Sequence, residues 1–169
     1  MSAECPEDSR PAGSVPVGRL SFEIFALART HRAFAGELLR GLGLHPGQEL
    51  LLMRLLERDG QTQSELLSAV GLDHSTVSKA LRRMQEAGLL RREPAEHDRR
   101  AVRVWLTEKG RAMRGPIEEM WAALERASAR DLDERSVDAF VTASERIRRA
   151  IGEQHRGARR PGPSPAPLT

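Results

Sequence analysis

Apolar residues recur along this chain with two periods, and the switches between them divide it into elements. From about Gly18 to Leu42, Leu20, Ile24, Leu27, Phe34 and Leu38 return at helical spacing, and Gly41 and Gly43 end the run. Pro46 sits where a first helical turn tolerates it, and opens a second predicted helix to about Asp59. Leu50, Leu51, Leu52, Met53, Leu55 and Leu56 make that helix apolar on most sides, the pattern of a buried central helix. Thr62-Gln63-Ser64-Glu65 has the form of a capping box and starts a short third helix that Gly71 closes. Asp73 is a good N-cap for a fourth helix to about Ala87, which Gly88 ends.

The period then changes to two. Leu89-Leu90-Arg91-Arg92 reads as a strand, and a polar loop runs from Glu93 to Arg99. A second strand runs from Arg100 to Leu106, with Val102, Val104 and Leu106 alternating with Ala101, Arg103 and Trp105. Thr107 caps a long helix to about Ala129, with a kink expected at Gly115-Pro116. A last helix, about Glu134 to Gln154, places Val137, Phe140, Val141, Ile147 and Ile151 on one side. The ends, 1–17 and 155–169, are rich in Pro, Gly, Ser and Arg and predict disordered tails. The fold class is mainly α with a small β-wing.

The third and fourth helices are joined by a short link and form a helix-turn-helix, whose second helix enters the major groove. At 100° per residue, Val77, Leu81 and Met84 make the core stripe of the fourth helix. Ser75, Ser78, Lys79 and Arg82 lie opposite, flanked by Thr76 and Arg83. Hydroxyls and long cationic donors suit base edges and phosphates. The loop between the strands projects as a hairpin with Arg99 and Arg100 near its tip or returning arm. An arginine there can enter a narrow minor groove. Asp98 beside them can hold an arginine by a charge-assisted bond.

Charge changes the picture only locally. The formal net charge is +3, but from His74 to Arg111 ten Lys/Arg stand against five Asp/Glu. That segment is either a surface for a polyanion or a solvated charged face.

Two stretches resemble the MarR family of bacterial winged helix-turn-helix regulators. One is Ser75-Thr76-Val77-Ser78-Lys79-Ala80-Leu81-Arg82-Arg83-Met84 followed by Gly88-Leu89. The other runs from Asp98-Arg99-Arg100 through Leu106-Thr107-Glu108-Lys109-Gly110 and is similar to the family's Asp-x-Arg wing signature followed by Leu-Thr-x-x-Gly. The similarity covers about residues 18–154. It implies a homodimer, with helices about 18–42, 107–129 and 134–154 pairing and a DNA-binding lobe over about 46–106. Two recognition helices then address a near-palindromic operator on double-stranded DNA. The resemblance assigns the wing arginine to Arg100 and the wing-bracing acid to Asp98. It places His74, Ser75, Thr76, Ser78, Lys79, Arg82 and Arg83 in or beside the groove-facing part of the helix, with Arg99 on the wing. Gln63 and Ser64 begin the preceding helix and can donate to phosphate. It further implies a repressor released by a small-molecule effector, held in a cleft lined by parts of residues 20–56 and 107–121.

Other chemistry is weaker. The five histidines form no HxxxH pattern, so no metal is expected. His31 is a polar group for an effector cleft or an ordinary surface or interface histidine. Cys5 is the single cysteine, there is no tyrosine, and neither a disulfide nor a redox sensor is expected. No nucleophile–base–acid set or phosphate-cradling loop stands out, so neither catalysis nor a cofactor is expected. No apolar run approaches a membrane span, and no signal pattern is seen, which predicts a cytoplasmic protein without membrane contact. Two rival readings are a non-specific architectural nucleic-acid binder and a winged-helix protein-interaction module. The dense set Lys79, Arg82, Arg99 and Arg100 argues against the second.

Overall fold

The computed structural model describes residues 18–94 and 102–158, with side chains through Arg156. The element order is α1 (Arg19–Gly41), α2 (Gln48–Glu57), β1 (Gln61–Thr62), α3 (Gln63–Val70), α4 (His74–Glu86), β2 (Leu90–Pro94), β3 (Val102–Leu106), α5 (Glu108–Ala112), α6 (Arg114–Ala129) and α7 (Glu134–Ala158). The chain divides into two compact units, 1–121 and 122–169.

Unit 1 is built on aliphatic packing. Leu51, Leu52 and Leu55 of α2, Leu66 of α3, and Val77, Leu81 and Met84 of α4 are essentially inaccessible to water. Val104 and Leu106 close the core from the sheet, and Ile117 and Met120 close it from α6. The core stripe expected on α4 is the one observed.

Several local features differ from the sequence reading, among them β2, which runs to Pro94 through residues expected in the loop. First, α2 opens at Gln48, two residues after Pro46. His45-Pro46-Gly47-Gln48 instead forms a turn, in which the Gln48 amide donates to the His45 carbonyl at 3.1 Å. Gly47 sits at φ 93°, so Pro and Gly occupy the two central positions of a type II turn. Second, a short strand, β1, precedes α3. The sheet has three strands in the order β1-β3-β2, all antiparallel, with Gln61 opposite Val104 and Leu90 opposite Leu106. A two-residue strand has no periodicity to read. Third, the expected long helix is two helices that break at Met113, just before Gly115-Pro116. Pro116 has no N–H for the Ala112 carbonyl, and its ring crowds that carbonyl, so the break falls a turn earlier.

The glycine after α4 was expected to end it, and the geometry shows how. Gly88 lies at φ 74°, its amide donates to the Gln85 carbonyl, and the Leu89 amide donates to the Met84 carbonyl, both at 2.9 Å. This is a Schellman closure, and it turns the chain directly into β2. In unit 2, α7 runs to Ala158, past the end expected at Gln154. Residues 1–17 and 159–169 lie outside the described residues.

Candidate nucleic-acid interface

The helix-turn-helix is held by two side-chain caps. At α3 the Thr62 hydroxyl accepts from the Glu65 amide at 3.2 Å, and the Glu65 carboxylate accepts from the Thr62 amide at 2.7 Å. Arg58 adds a 2.8 Å contact to the same carboxylate. These bonds, the Thr62 amide first, hold the Glu65 pKa down to about 2. At α4 the Asp73 carboxylate accepts from the Thr76 amide at 2.9 Å. The link between them turns on Gly71 at φ 66°.

This frame fixes what α4 exposes. With Val77, Leu81 and Met84 buried, Ser75, Lys79 and Arg82 are exposed and Ser78 is half-buried on the opposite side. His74, Thr76 and Arg83 are exposed beside them, as is Ser64, and Gln63 is half-buried. Lys79 has no ion pair among the described residues. Arg82 makes a 3.7 Å contact with Glu86, with both side chains two-thirds exposed, an i,i+4 pair that contributes a few tenths of a kcal/mol and is readily released. Ser75 and Thr76 do not stand free, because both hydroxyls donate to Asp73, at 2.7 and 2.5 Å. Asp98, Arg99 and Arg100 lie outside the described residues.

Sequence reasoning missed the anchor of the sheet. One oxygen of Asp59 accepts from the Gly60 amide at 3.0 Å and from the Leu106 amide at 2.9 Å. Its other oxygen accepts from Arg111 of α5 at 2.9 Å. Arg103 donates to the Gly60 carbonyl at 2.6 Å, and the Trp105 ring covers Gly60 so closely that a Cβ there would enter it. Arg91 stacks over that ring, 5.6 Å from its centroid, and pairs with Glu93. Thus one corner, Asp59-Gly60, grips β3 directly and reaches β2 only through Arg91 on the Trp105 ring. A lone acid before a glycine reads as a solvated helix end, and no sequence signal links it to a partner 47 residues away.

The comparisons agree with this geometry. A family model described as "MarR family" matches residues 42–101, from the end of α1 through the loop. The HTH-type transcriptional regulator TtmR of Methylorubrum extorquens (strain PA1) is 31% identical over 117 residues, which are 69% of this chain and 60% of TtmR. The chain therefore spans less than two thirds of that relative's length. A crystal structure of MarR superimposes with a TM-score of 0.67 at 27% identity, covering 80% of this chain and 98% of MarR. A MarR family regulator from Listeria monocytogenes, complexed with a 26mer DNA, has a similar fold, with a TM-score of 0.69 at 20% identity over 82% of this chain and 92% of that one. Fold, family model and relatives coincide on the helix-turn-helix and its sheet, and residues 42–101 are those of the MarR family.

Proposed function

We propose that the protein binds double-stranded DNA sequence-specifically as a homodimer, with α4 in the major groove. The observation that carries this reading is the α4 face, where hydroxyls and cations stand opposite a fully buried stripe on a doubly capped helix-turn-helix. Ser75, Thr76, Ser78, Lys79 and Arg82 meet base edges, with His74 and Arg83 beside them. Gln63 and Ser64 offer donors to phosphate at the start of α3. Arg99 and Arg100 anchor the wing next to the groove, and Asp98 braces them. A Listeria monocytogenes protein of similar fold is complexed with a 26mer DNA, which supports DNA as the partner.

Dimerisation is supported by apolar surface that each unit leaves uncovered. Leu20, Phe25 and Leu27 of α1 are 60%, 60% and 51% exposed, and Phe140 and Ile151 of α7 are 54% and 61% exposed. A second copy is the cover that the family resemblance provides. A ligand-responsive repressor is supported by Trp121, whose indole N–H is buried with no hydrogen-bond partner among the described residues. A ligand acceptor there would satisfy a donor that otherwise costs about 1–3 kcal/mol. A ligand favouring a wrong half-site spacing would release the operator by population shift.

The test is binding to DNA flanking the protein's own gene against scrambled DNA at matched salt. Preference for the flanking DNA is expected. Equal affinities would replace the reading with the architectural binder, and no binding would favour the protein-interaction module. Arg100→Ala is expected to weaken operator binding while leaving the dimer intact.

A further inference from the structure

The hydrogen bonds at the tip of α4 determine what its hydroxyls have left to offer. A serine or threonine hydroxyl has one proton and two acceptor lone pairs. Ser75 gives its proton to Asp73 Oδ1 at 2.7 Å, and Thr76 gives its proton to Asp73 Oδ2 at 2.5 Å. Both bonds run to a carboxylate, and charge-assisted bonds are roughly twice as strong as neutral ones. Turning either proton toward a base would exchange an ionised acceptor for a neutral one. What Ser75 and Thr76 present outward is therefore oxygen lone pairs, while the Asp73 carboxylate, which also accepts from the Thr76 amide, is largely occupied.

We infer that Asp73 sets the hydrogen-bonding polarity of the α4 tip, so that Ser75 and Thr76 enter the major groove as acceptors and select half-sites that present the exocyclic amino group of cytosine or adenine. This deepens the DNA-binding reading above and rests on it. In the major groove only cytosine N4 and adenine N6 offer donors, whereas guanine O6 and N7, adenine N7 and thymine O4 are acceptors. The Ser75 and Thr76 oxygens are mismatched to those acceptors and to phosphate oxygens. Beside them stands the His74 imidazole, and further along the helix are Lys79 one turn on and Arg82 two turns on, cationic donors that suit guanine. Asp73 acts through its neighbours as a positioning residue, and the bonds from Thr76 and Ser75 keep its carboxyl ionised well below the usual range. The sequence alone offers these hydroxyls to base edges and phosphates without giving their direction.

The experiment is enrichment of bound sequences from a randomised duplex library by the full chain, for wild type, Ser75→Ala, Thr76→Val, Asp73→Asn and Asp73→Ser. Asparagine and serine cap helices about as well as aspartate, so α4 is retained, and circular dichroism melting verifies it. Positions whose preference is lost in Ser75→Ala or Thr76→Val are expected to be cytosine or adenine in the wild-type motif. In Asp73→Asn the amide nitrogen donates to a hydroxyl and frees that hydroxyl's proton for DNA. The position read by that hydroxyl is then expected to shift toward guanine or thymine by roughly fivefold to a hundredfold, the discrimination of a base-edge contact. Asp73→Ser is expected to relax the preference there. Three outcomes would overturn the inference while the DNA reading stands: responsive positions that are guanine or thymine in wild type, no responsive position, or an unchanged motif in Asp73→Asn. If wild type enriches no motif, sequence-specific reading itself fails, and the matched-salt comparison shows that separately.

Discussion

Gly110 has no room for a side chain. It is buried at the middle of α5, and a Cβ built there would run into the Leu89 carbonyl oxygen, a backbone atom fixed by its bond from the Thr107 amide at 3.1 Å. The glycine of the Leu-Thr-x-x-Gly pattern is thus a packing requirement between the start of α5 and the root of β2. Gly110→Ala is expected to cost roughly 3 kcal/mol, the upper end for overpacking, or more, read as a lower urea midpoint. Asp59 is the other residue whose role is fixed by its surroundings. Asp59→Ala strands the Leu106 amide and releases Arg111, and is expected to cost about 1–3 kcal/mol. Asp59→Asn keeps an acceptor for the amide and should cost less, and equal losses would remove the hydrogen bond as the cause. Trp121→Phe removes the orphan donor together with part of a ring packed against the core, so any ligand response is expected to be lost at a modest cost in stability.

At the scale of elements, the caps carry the sharpest expectation. Glu65 titrates near 2 in the folded chain against an ordinary value of 4.5. Its folded pKa is lowered, so its contribution to stability is present above about 4.5 and is lost as pH falls from there toward 2. The urea midpoint of the wild type is expected to drop over that window, and Glu65→Gln should flatten this part of the profile while lowering the plateau at neutral pH. An unchanged slope would mean that the capping box contributes nothing to the acid limb. These caps were legible from Thr62, Glu65, Asp73 and Gly88 because capping is local chemistry within three or four residues. The start of α2 was not legible in the same way. Pro46 fits both a first helical turn and the second position of a turn, and the choice fell to Gly47, whose positive φ completes the turn. The kink was expected at the right proline, but its place was a turn earlier, because a proline disrupts the carbonyl four residues before it.

For the whole molecule, the exposed apolar residues of α1 and α7 are the largest unmet demand. Phe140→Glu is expected to weaken self-association by at least about tenfold, as loss of an interface aromatic of about 2 kcal/mol would, measured by sedimentation across a concentration series. A monomeric wild type would overturn the dimer reading. Among the described residues no helix is long and apolar enough to cross a membrane, so these faces are not spans.

The sequence by itself determined most of the helices, the helix-turn-helix, the core stripe of α4 and the resemblance to the MarR family, because periodicity, caps and motifs are written in near neighbours. It also determined the cationic face of α4, since burying Val77, Leu81 and Met84 leaves only one side for Lys79 and Arg82. The tertiary structure decided what distant residues do to one another: Asp59 and Arg103 at the root of the strands, β1 beside β3, and Gly110 against Leu89. It also decided the state of two hydroxyls. Which way Ser75 and Thr76 point their protons depends on where the Asp73 carboxylate lies once α4 has folded, and hydrogen-bond direction is a property of geometry that residue identity leaves open.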